Sequence, residues 1–383
     1  MKNRIIAAAG AVVLAASALA AGCGSVDGNQ TAITAGDSSV SLGAASFLLR
    51  YSQAATTNMM TAYGYGTTGI WDTTYTNSSS EEVTYGQEFK DSVRDNIAVD
   101  LLMKAHADEY NVTIPEDLQT SIDDTAKKVY EKNKDSMDEN GISQENIKEA
   151  IELETYTRLM YDPMIADTDR NVSDEEAAMS TLTYARIDFV TSDDQGNTVN
   201  MTDDQKQEKW DNLEKLIEKV KEDDDPANCD MKALAEEIDP DLVVGDSPYN
   251  DDSTLLPDKI YETARSLDDG EIYDKVIDTG DYYYVVRQDK KFDQDATDDQ
   301  KKTIISTRES DNYQKKLDAW KKESPTKTEK CWDKLEVSDK VLFTTVADSS
   351  TDAAGSSAVS SAASSSSAAE GVSSASSQVV SGS

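Results

Sequence analysis

A change of period at Thr181 constrains this chain more than any other feature. Before it, apolar side chains recur every three or four residues. Phe89, Val93, Ile97, Leu101 and Leu102 are one such stripe, as a half-buried helix requires. From Thr181 to Val190 the residues Thr-Leu-Thr-Tyr-Ala-Arg-Ile-Asp-Phe-Val alternate, as a strand does. Near Ala296 the helical spacing returns. A chain that changes period twice reads as α+β: a helical part over 32–180, an α+β unit over 181–290, and a helix over 291–325 that packs back on the first part.

Within the helical part, Ala44 to Ala62 reads as one helix with Phe47, Leu48, Tyr51, Met59 and Met60 as its apolar positions. A Gly- and Thr-rich loop carrying Tyr63, Tyr65, Trp71 and Tyr75 follows. A second helix spans about 84–109. Pro115 then Glu116 open a third, since proline suits a first turn and acids there suit the helix dipole. Ser143 opens a fourth, and Ser173-Asp174-Glu175-Glu176 has the form of one more helix start. Helices alone are expected before the change of period. In the second part the spacing predicts a charged helix over 203–222 and shorter ones at 231–236 and 258–266. Tyr282-Tyr-Tyr-Val-Val-Arg287 is a closing strand. Ile304, Ile305, Tyr313, Leu317 and Trp320 give the last helix its small apolar face.

The two ends differ in kind. Lys2 and Arg4 precede an apolar stretch from Ile5 to Ala21, too short to anchor a spanning helix. Ala20-Ala21-Gly22-Cys23 follows. This resembles a bacterial lipoprotein signal, 1–22, with Ala20 where leucine is commoner. The resemblance implies cleavage before Cys23, lipid on that cysteine, and an extracytoplasmic chain held to the cell membrane through a polar tether, 23–31; each buried acyl methylene contributes about 0.8 kcal/mol. Residues 326–348 read as an irregular extension. Residues 349–383 are mostly serine and alanine without aromatics, a composition expected to stay disordered.

Charge and residue counts exclude several functions. The 74 acidic and 37 basic side chains leave a net charge of −37, which repels nucleic acid and anionic lipid surfaces. One histidine, His106, rules out a histidine-rich metal site and leaves a Ser-His-Asp triad only if His106 supplies it. Cys229 and Cys331 are too few for a disulfide scaffold, though a single bridge between them is open. Asp223-Asp224-Asp225 and Asp251-Asp252 lack the spacing and glycine of a calcium loop. No cofactor and no metal are expected.

The second part resembles a parvulin domain, the small prolyl-isomerase fold. Tyr261-Glu-Thr-Ala264, Leu267-Asp-Asp-Gly-Glu-Ile272, Val276-Ile-Asp-Thr-Gly280 and Tyr282-Tyr-Tyr-Val-Val-Arg287 follow that family's Phe-Glu-x-Ala, Leu-x-x-Gly-Glu-Ile and Gly-Tyr-His-Ile-Ile order. Ala185-Arg186-Ile187 matches its opening Ala-x-His-Ile strand. Residues 35–51 and Ile114-Pro115 are similar to the N-terminal part of PrsA/SurA-type foldases. The resemblance covers nearly all of 32–323. It departs where chemistry sits: the two active-site histidines fall on Arg186 and Tyr284, and the Gly-Gly-Asp-Leu-Gly loop has become Val243-Val-Gly-Asp-Ser247.

Prolyl isomerisation needs no nucleophile. Its barrier of about 18–20 kcal/mol comes from amide resonance, and an enzyme lowers it by holding the twisted amide in a shaped pocket. Losing the histidines damages the polar network without excluding activity, because Tyr284 keeps a hydroxyl donor. Tyr261, with Leu256 or Ile260, reads either as a proline pocket or as plain core. Met59, Met60, Tyr63, Tyr65 and Trp71 read either as a surface for apolar stretches of unfolded secreted chains or as core. The resemblance implies a membrane-anchored foldase or chaperone with its isomerase histidines replaced. An active isomerase and a solute-binding surface lipoprotein are the alternatives. The last would call for strand–helix alternation along the whole chain.

Overall fold

The computed structural model describes residues 26–192 and 195–339. Residues 1–22 read as a signal, Cys23 read as lipidated, Asp193-Asp194 of the expected turn and the Ser/Ala-rich 349–383 lie outside the described residues. In chain order, β1 (Thr31–Ala35), β2 (Ser38–Ser41) and α1 (Leu42–Ala62) precede the hairpin β3 (Thr74–Thr76) and β4 (Glu82–Thr84). Next come α2 (Tyr85–His106), α3 (Glu116–Lys132), α4 (Lys134–Glu139) and α5 (Gln144–Ile165). Then follow β5 (Ser180–Asp188), β6 (Val190–Ser192), β7 (Thr198–Asn200), α6 (Asp203–Glu222), α7 (Met231–Ile238), β8 (Val243–Tyr249), α8 (Asp258–Ser266), β9 (Ile277–Asp278) and β10 (Tyr282–Lys290). The chain continues through α9 (Gln294–Glu323), β11 (Thr326–Thr328) and α10 (Lys330–Asp333). It divides into two compact units, one of residues up to Ala166 together with those from Tyr313, the other Asp167–Asn312.

The first unit is built on α1, α2 and α5. Their starts are fixed by side chains: Ser41 accepts from Ala44 N, Thr84 from Gln87 N, and Ser143 forms a capping box with Asn146. Such caps satisfy amides that a helix start leaves orphaned, each contributing about 1 kcal/mol. Phe47, Leu49, Ile97, Leu101, Leu102, Met160 and Met164 are buried together, and Leu317 and Trp320 from the end of α9 join the same core. Each such side chain contributes about 1.5–3 kcal/mol when fully buried. Ile304 and Ile305 are only partly buried and lie in the other unit. His106 packs on the same core: its ring stacks on Trp320 at 4.1 Å and its Nδ1 lies 2.8 Å from Glu109 Oε1.

Two expectations fail here. The first unit is not helices alone, because β1 lies between β2 and β11 in a three-stranded antiparallel sheet. Gly36, at φ +58°, makes the tight β1–β2 turn with Asp37 that other residues resist. Ser173 opens no helix. Its Oγ accepts from Glu176 N at 3.1 Å and one turn follows, since β5 begins at Ser180 and leaves no length for more.

The second unit carries a four-stranded antiparallel sheet in the order β8-β5-β10-β9. Alternation along β5 and β10 sends Ala185, Ile187 and Val285 to one face, against Leu213, Leu216, Ile217 and Val220 of α6 and Met231 of α7. Leu182, Tyr284 and Val286 go to the other, with Tyr249 of β8, against Ile260, Tyr261 and Ala264 of α8. Residues 243–247, read from sequence as the remains of a glycine loop, are part of strand β8.

Candidate functional site

Register brings the two residues at the family's histidine positions face to face. Tyr284 of β10 pairs directly with Arg186 of β5. The Arg186 guanidinium acts electrostatically on the Tyr284 hydroxyl and lies 5.0 Å over the Tyr282 ring. Arg186 Nε and Asp188 Oδ1 are 4.0 Å apart, and neither has a hydrogen-bond partner among the described residues. Tyr284 is 1% exposed. Burial pushes its hydroxyl pKa up, against the opposing pull of Arg186. It stays a neutral hydroxyl at physiological pH.

The sequence reading of this face missed Tyr184. It sits two residues before Arg186, hence on the same face, and its ring lies 6.0 Å from that of Tyr284. Opposite it on β8 is Gly245. A Cβ there would fall 2.9 Å from the Tyr184 hydroxyl oxygen, so the glycine makes room for this tyrosine. The signal available in the sequence was the i, i+2 spacing of Tyr184 and Arg186.

Leu256, Ile260 and Tyr261 lie together in the core on this side of the sheet, at 5%, 0% and 2% exposure. The Tyr261 hydroxyl accepts from Leu256 N at 3.0 Å, and its ring stacks on Tyr249 at 5.2 Å. The Tyr249 hydroxyl in turn donates to the buried Gln288 Oε1 at 2.6 Å. These side chains are packed against one another and present almost no surface to a ligand.

The second candidate set splits. Met59, Tyr63 and Tyr65 are exposed at the end of α1 and in the loop after it, at 55%, 76% and 68%. Met60 is half-buried. Trp71 is buried, its ring 5.4 Å from Tyr85 and 4.9 Å from Phe89, so it anchors the loop and does not share the exposed surface. These residues belong to the first unit and the Arg186–Tyr284 pair to the second.

The first unit also holds two carboxyls that sequence reading passed over. Burial pushes Asp100 up to about 6, although Thr157 Oγ1 donates to it at 2.6 Å. Burial, with the Asp100 charge adding to it, pushes Glu154 up to about 8. The signal was an acid directly beside the α2 stripe, Asp100 next to Leu101.

Cys229 and Cys331 are free thiols. Among the described residues no three metal-ligating side chains gather, and no helix is long and apolar enough to cross a membrane.

No family model and no curated protein matches the chain. Solved structures do. It is similar to the foldase protein PrsA from Streptococcus pneumoniae, at 18% identity over 64% of this chain and 93% of that one, with a TM-score of 0.25. It is similar to the peptidylprolyl isomerase PrsA from Bacillus cereus at 16% identity, over 71% and 96%, with a TM-score of 0.26. For PrsA from Bacillus subtilis the values are 13%, 66% and 93%, and 0.21. At these scores the alignments carry no functional argument, which rests on the chain's own residues.

Proposed function

We propose that this chain is a membrane-tethered extracytoplasmic foldase or holdase for secreted proteins, with a parvulin-like domain that no longer isomerises proline. In this reading 1–22 is a lipoprotein signal and Cys23 carries the lipid. Residues 32–180 with the helix of 291–325 form the chaperone part, and 181–290 the parvulin-like part. The polypeptide surface is the run Met59, Met60, Tyr63 and Tyr65, since methionine adapts its shape and tyrosine supplies area.

The observation that carries the reading is the 1% exposure of Tyr284. To lower the amide barrier, a donor must reach the twisted amide of a bound substrate. Tyr284 and Tyr261 are packed in the core at 1% and 2% exposure, out of reach of a substrate amide, while Arg186 is a permanent cation that cannot play a neutral imidazole. Exposed methionine and tyrosine at the end of α1 supply what binding an unfolded chain requires.

Refolding of an aggregation-prone protein and isomerisation of a proline peptide, measured side by side, test this. The expected outcome is suppressed aggregation that Tyr63→Asp/Tyr65→Asp weakens, with isomerisation at the uncatalysed rate. Catalysed isomerisation that Tyr261→Ala or Tyr284→Phe abolishes would make the chain an enzyme. For the tether, Cys23→Ser is expected to move the chain from the membrane fraction to the soluble one. Retention after a high-salt wash would refute lipidation.

A further inference from the structure

Asp100 and Glu154, on two different helices of the first unit, lack a counter-ion among the described residues. Asp100 of α2 faces α5, where Thr157 Oγ1 donates to it at 2.6 Å. Glu154 lies three residues before Thr157 and Tyr161 four after it, so the three form one stripe along α5. The Asp100 charge acts on Glu154 across the helix pair. Two tyrosines complete the surroundings. The Glu154 charge acts on Tyr51 of α1, and the Asp100 charge on Tyr313 of α9, whose ring lies 5.5 Å from that of Tyr161. Tyr51 and Tyr313 both pack on the core of this unit.

Burial is the chief influence on both carboxyls, so their oxygens lie deep among the helices. Yet Tyr51, Asp100, Glu154 and Tyr313 are each only half-buried. Deep oxygens on side chains that still meet solvent describe a crevice open at its mouth. Among the described residues no lysine or arginine acts on either carboxyl, and Glu154 has no hydrogen-bond partner. Buried charges are ordinarily paired, because desolvation without a mate is costly. Here the acids come from two helices and the mate does not come from the chain.

The lining selects the kind of cation. A hard divalent ion takes about six to eight oxygen ligands, and no three metal-ligating side chains gather among the described residues. Tyrosine rings instead attract an organic cation over their faces. A primary ammonium is compact, its donors suit two separate carboxyls, and its aliphatic stem can lie along a ring. The net charge of −37 draws cations toward the chain in general.

We infer that this crevice binds a primary ammonium on an aliphatic stem, with Asp100 and Glu154 as its counter-ions and Tyr51 and Tyr313 as its walls. A lysine of a polypeptide and a free alkylamine share this chemistry. The inference goes beyond the foldase reading and does not need it; where the chain has clients, their lysines supply the group. Glu154, raised to about 8, still holds its proton at neutral pH, so the arriving ammonium displaces that proton.

Calorimetric titration of the full-length protein tests this, with n-pentylamine as one probe and a short unstructured peptide carrying one lysine as the other. Saturable binding is expected, lost when norleucine replaces the lysine. Proton release is expected to show near neutral pH as a binding enthalpy that changes with the ionisation heat of the buffer. Glu154→Gln, close to isosteric, is expected to weaken binding several-fold, as is Asp100→Asn, which can still accept from Thr157. Tighter binding of the lysine peptide than of the amine assigns the site to polypeptides, and binding of the amine alone assigns it to free amines. No saturable binding of either probe, equal binding of the norleucine peptide, binding without proton release, or binding indifferent to both substitutions would each overturn the inference, as would calcium displacing the amine. The norleucine and proton-release readouts need no variant to fold. None of the measurements uses chaperone activity, so failure of the foldase reading leaves them intact.

Discussion

Two tyrosine-rich regions of this chain meet opposite fates. Between the sheet of the second unit and α8, Tyr184, Tyr249, Tyr261 and Tyr284 gather into one packed layer, three of them with exposures of 2% or less. At the end of α1 in the first unit, Tyr63 and Tyr65 stand in solvent. Composition does not separate them; backbone geometry does. Strand alternation aims alternate residues at α8, which closes over them, whereas the Gly- and Thr-rich loop after α1 offers its tyrosines no opposing layer. A side chain can bind a partner only where its surface is still available. The region that resembles an enzyme site is therefore the poorer binding candidate, and the featureless loop the better one.

The sharpest way to break this comparison is truncation. Tyr261→Ala removes a buried ring with its stacking partner and is expected to destabilise the second unit by about 3–5 kcal/mol. Tyr63→Ala touches nothing buried and is expected to stay within about 0.5 kcal/mol. Chemical denaturation with tryptophan fluorescence reads both. Similar values for the two would mean that the packed and exposed assignments are wrong.

Acidity separates the units in a second way. Folding raises the Glu154 carboxyl from its ordinary 4.5 to about 8, chiefly by burial. A group raised in the folded state favours folding while protonated. Its contribution is fully present below about 4.5 and is lost as pH rises through about 8. The first unit is thus expected to lose stability between about pH 5 and pH 8, and Glu154→Gln to flatten that slope. Buried Tyr249 and Tyr284 are raised above their ordinary 10, so the tyrosine face of the second unit has no comparable transition. Thermal melts of the parent and Glu154→Gln across that range measure the difference, and parallel curves would remove Glu154 from the account.

A hydroxyl deletion probes how fully the packed face is satisfied. Tyr249→Phe leaves Gln288 Oε1, on a side chain 0% exposed, without its 2.6 Å donor. An orphaned buried acceptor costs about 1–3 kcal/mol. Equilibrium denaturation checks this, and a neutral result would show that water reaches the site.

What the sequence revealed follows the same division. Helices with a repeated apolar stripe were legible: α2 and α6 run over the residues whose spacing predicted them. The sheet of β1, β2 and β11 was not, because its strands span three to five residues and one of them arrives nearly three hundred residues later. Arg186 and Tyr284 were singled out through resemblance, and the cross-strand register sets them opposite each other. Exposure was not legible. Trp71 and Tyr65 lie six residues apart in one loop, yet one is buried between Tyr85 and Phe89 and the other is free, a distinction made by side chains on α2. The same holds for Tyr184, whose place depends on Gly245 sixty-one residues away.

The smallest expected effect is the most telling for the comparison. Tyr284→Phe keeps the ring in the packed face and removes only the hydroxyl, on which Arg186 acts. A polar interaction with a charged group contributes at most about 1.5–3 kcal/mol, and the arginine, half-exposed, recovers part of that from water. A modest loss of stability is therefore expected. Proline isomerisation is expected not to change at all, because a hydroxyl buried this completely cannot reach a substrate amide. Arg186→Gln extends the test: it removes the charge, frees the Tyr284 hydroxyl from its cationic partner, and on this account still yields no catalysis, since Tyr184 and Tyr282 crowd the same face. Exchange rates of a proline peptide, measured for parent, Tyr284→Phe and Arg186→Gln at equal folded fraction, decide the matter. Three rates equal to the uncatalysed one support a sheet face that has become core. A parent rate above it that falls in Tyr284→Phe would show that the face opens in solution, and the contrast between the two tyrosine regions would then lie in their dynamics rather than in their packing.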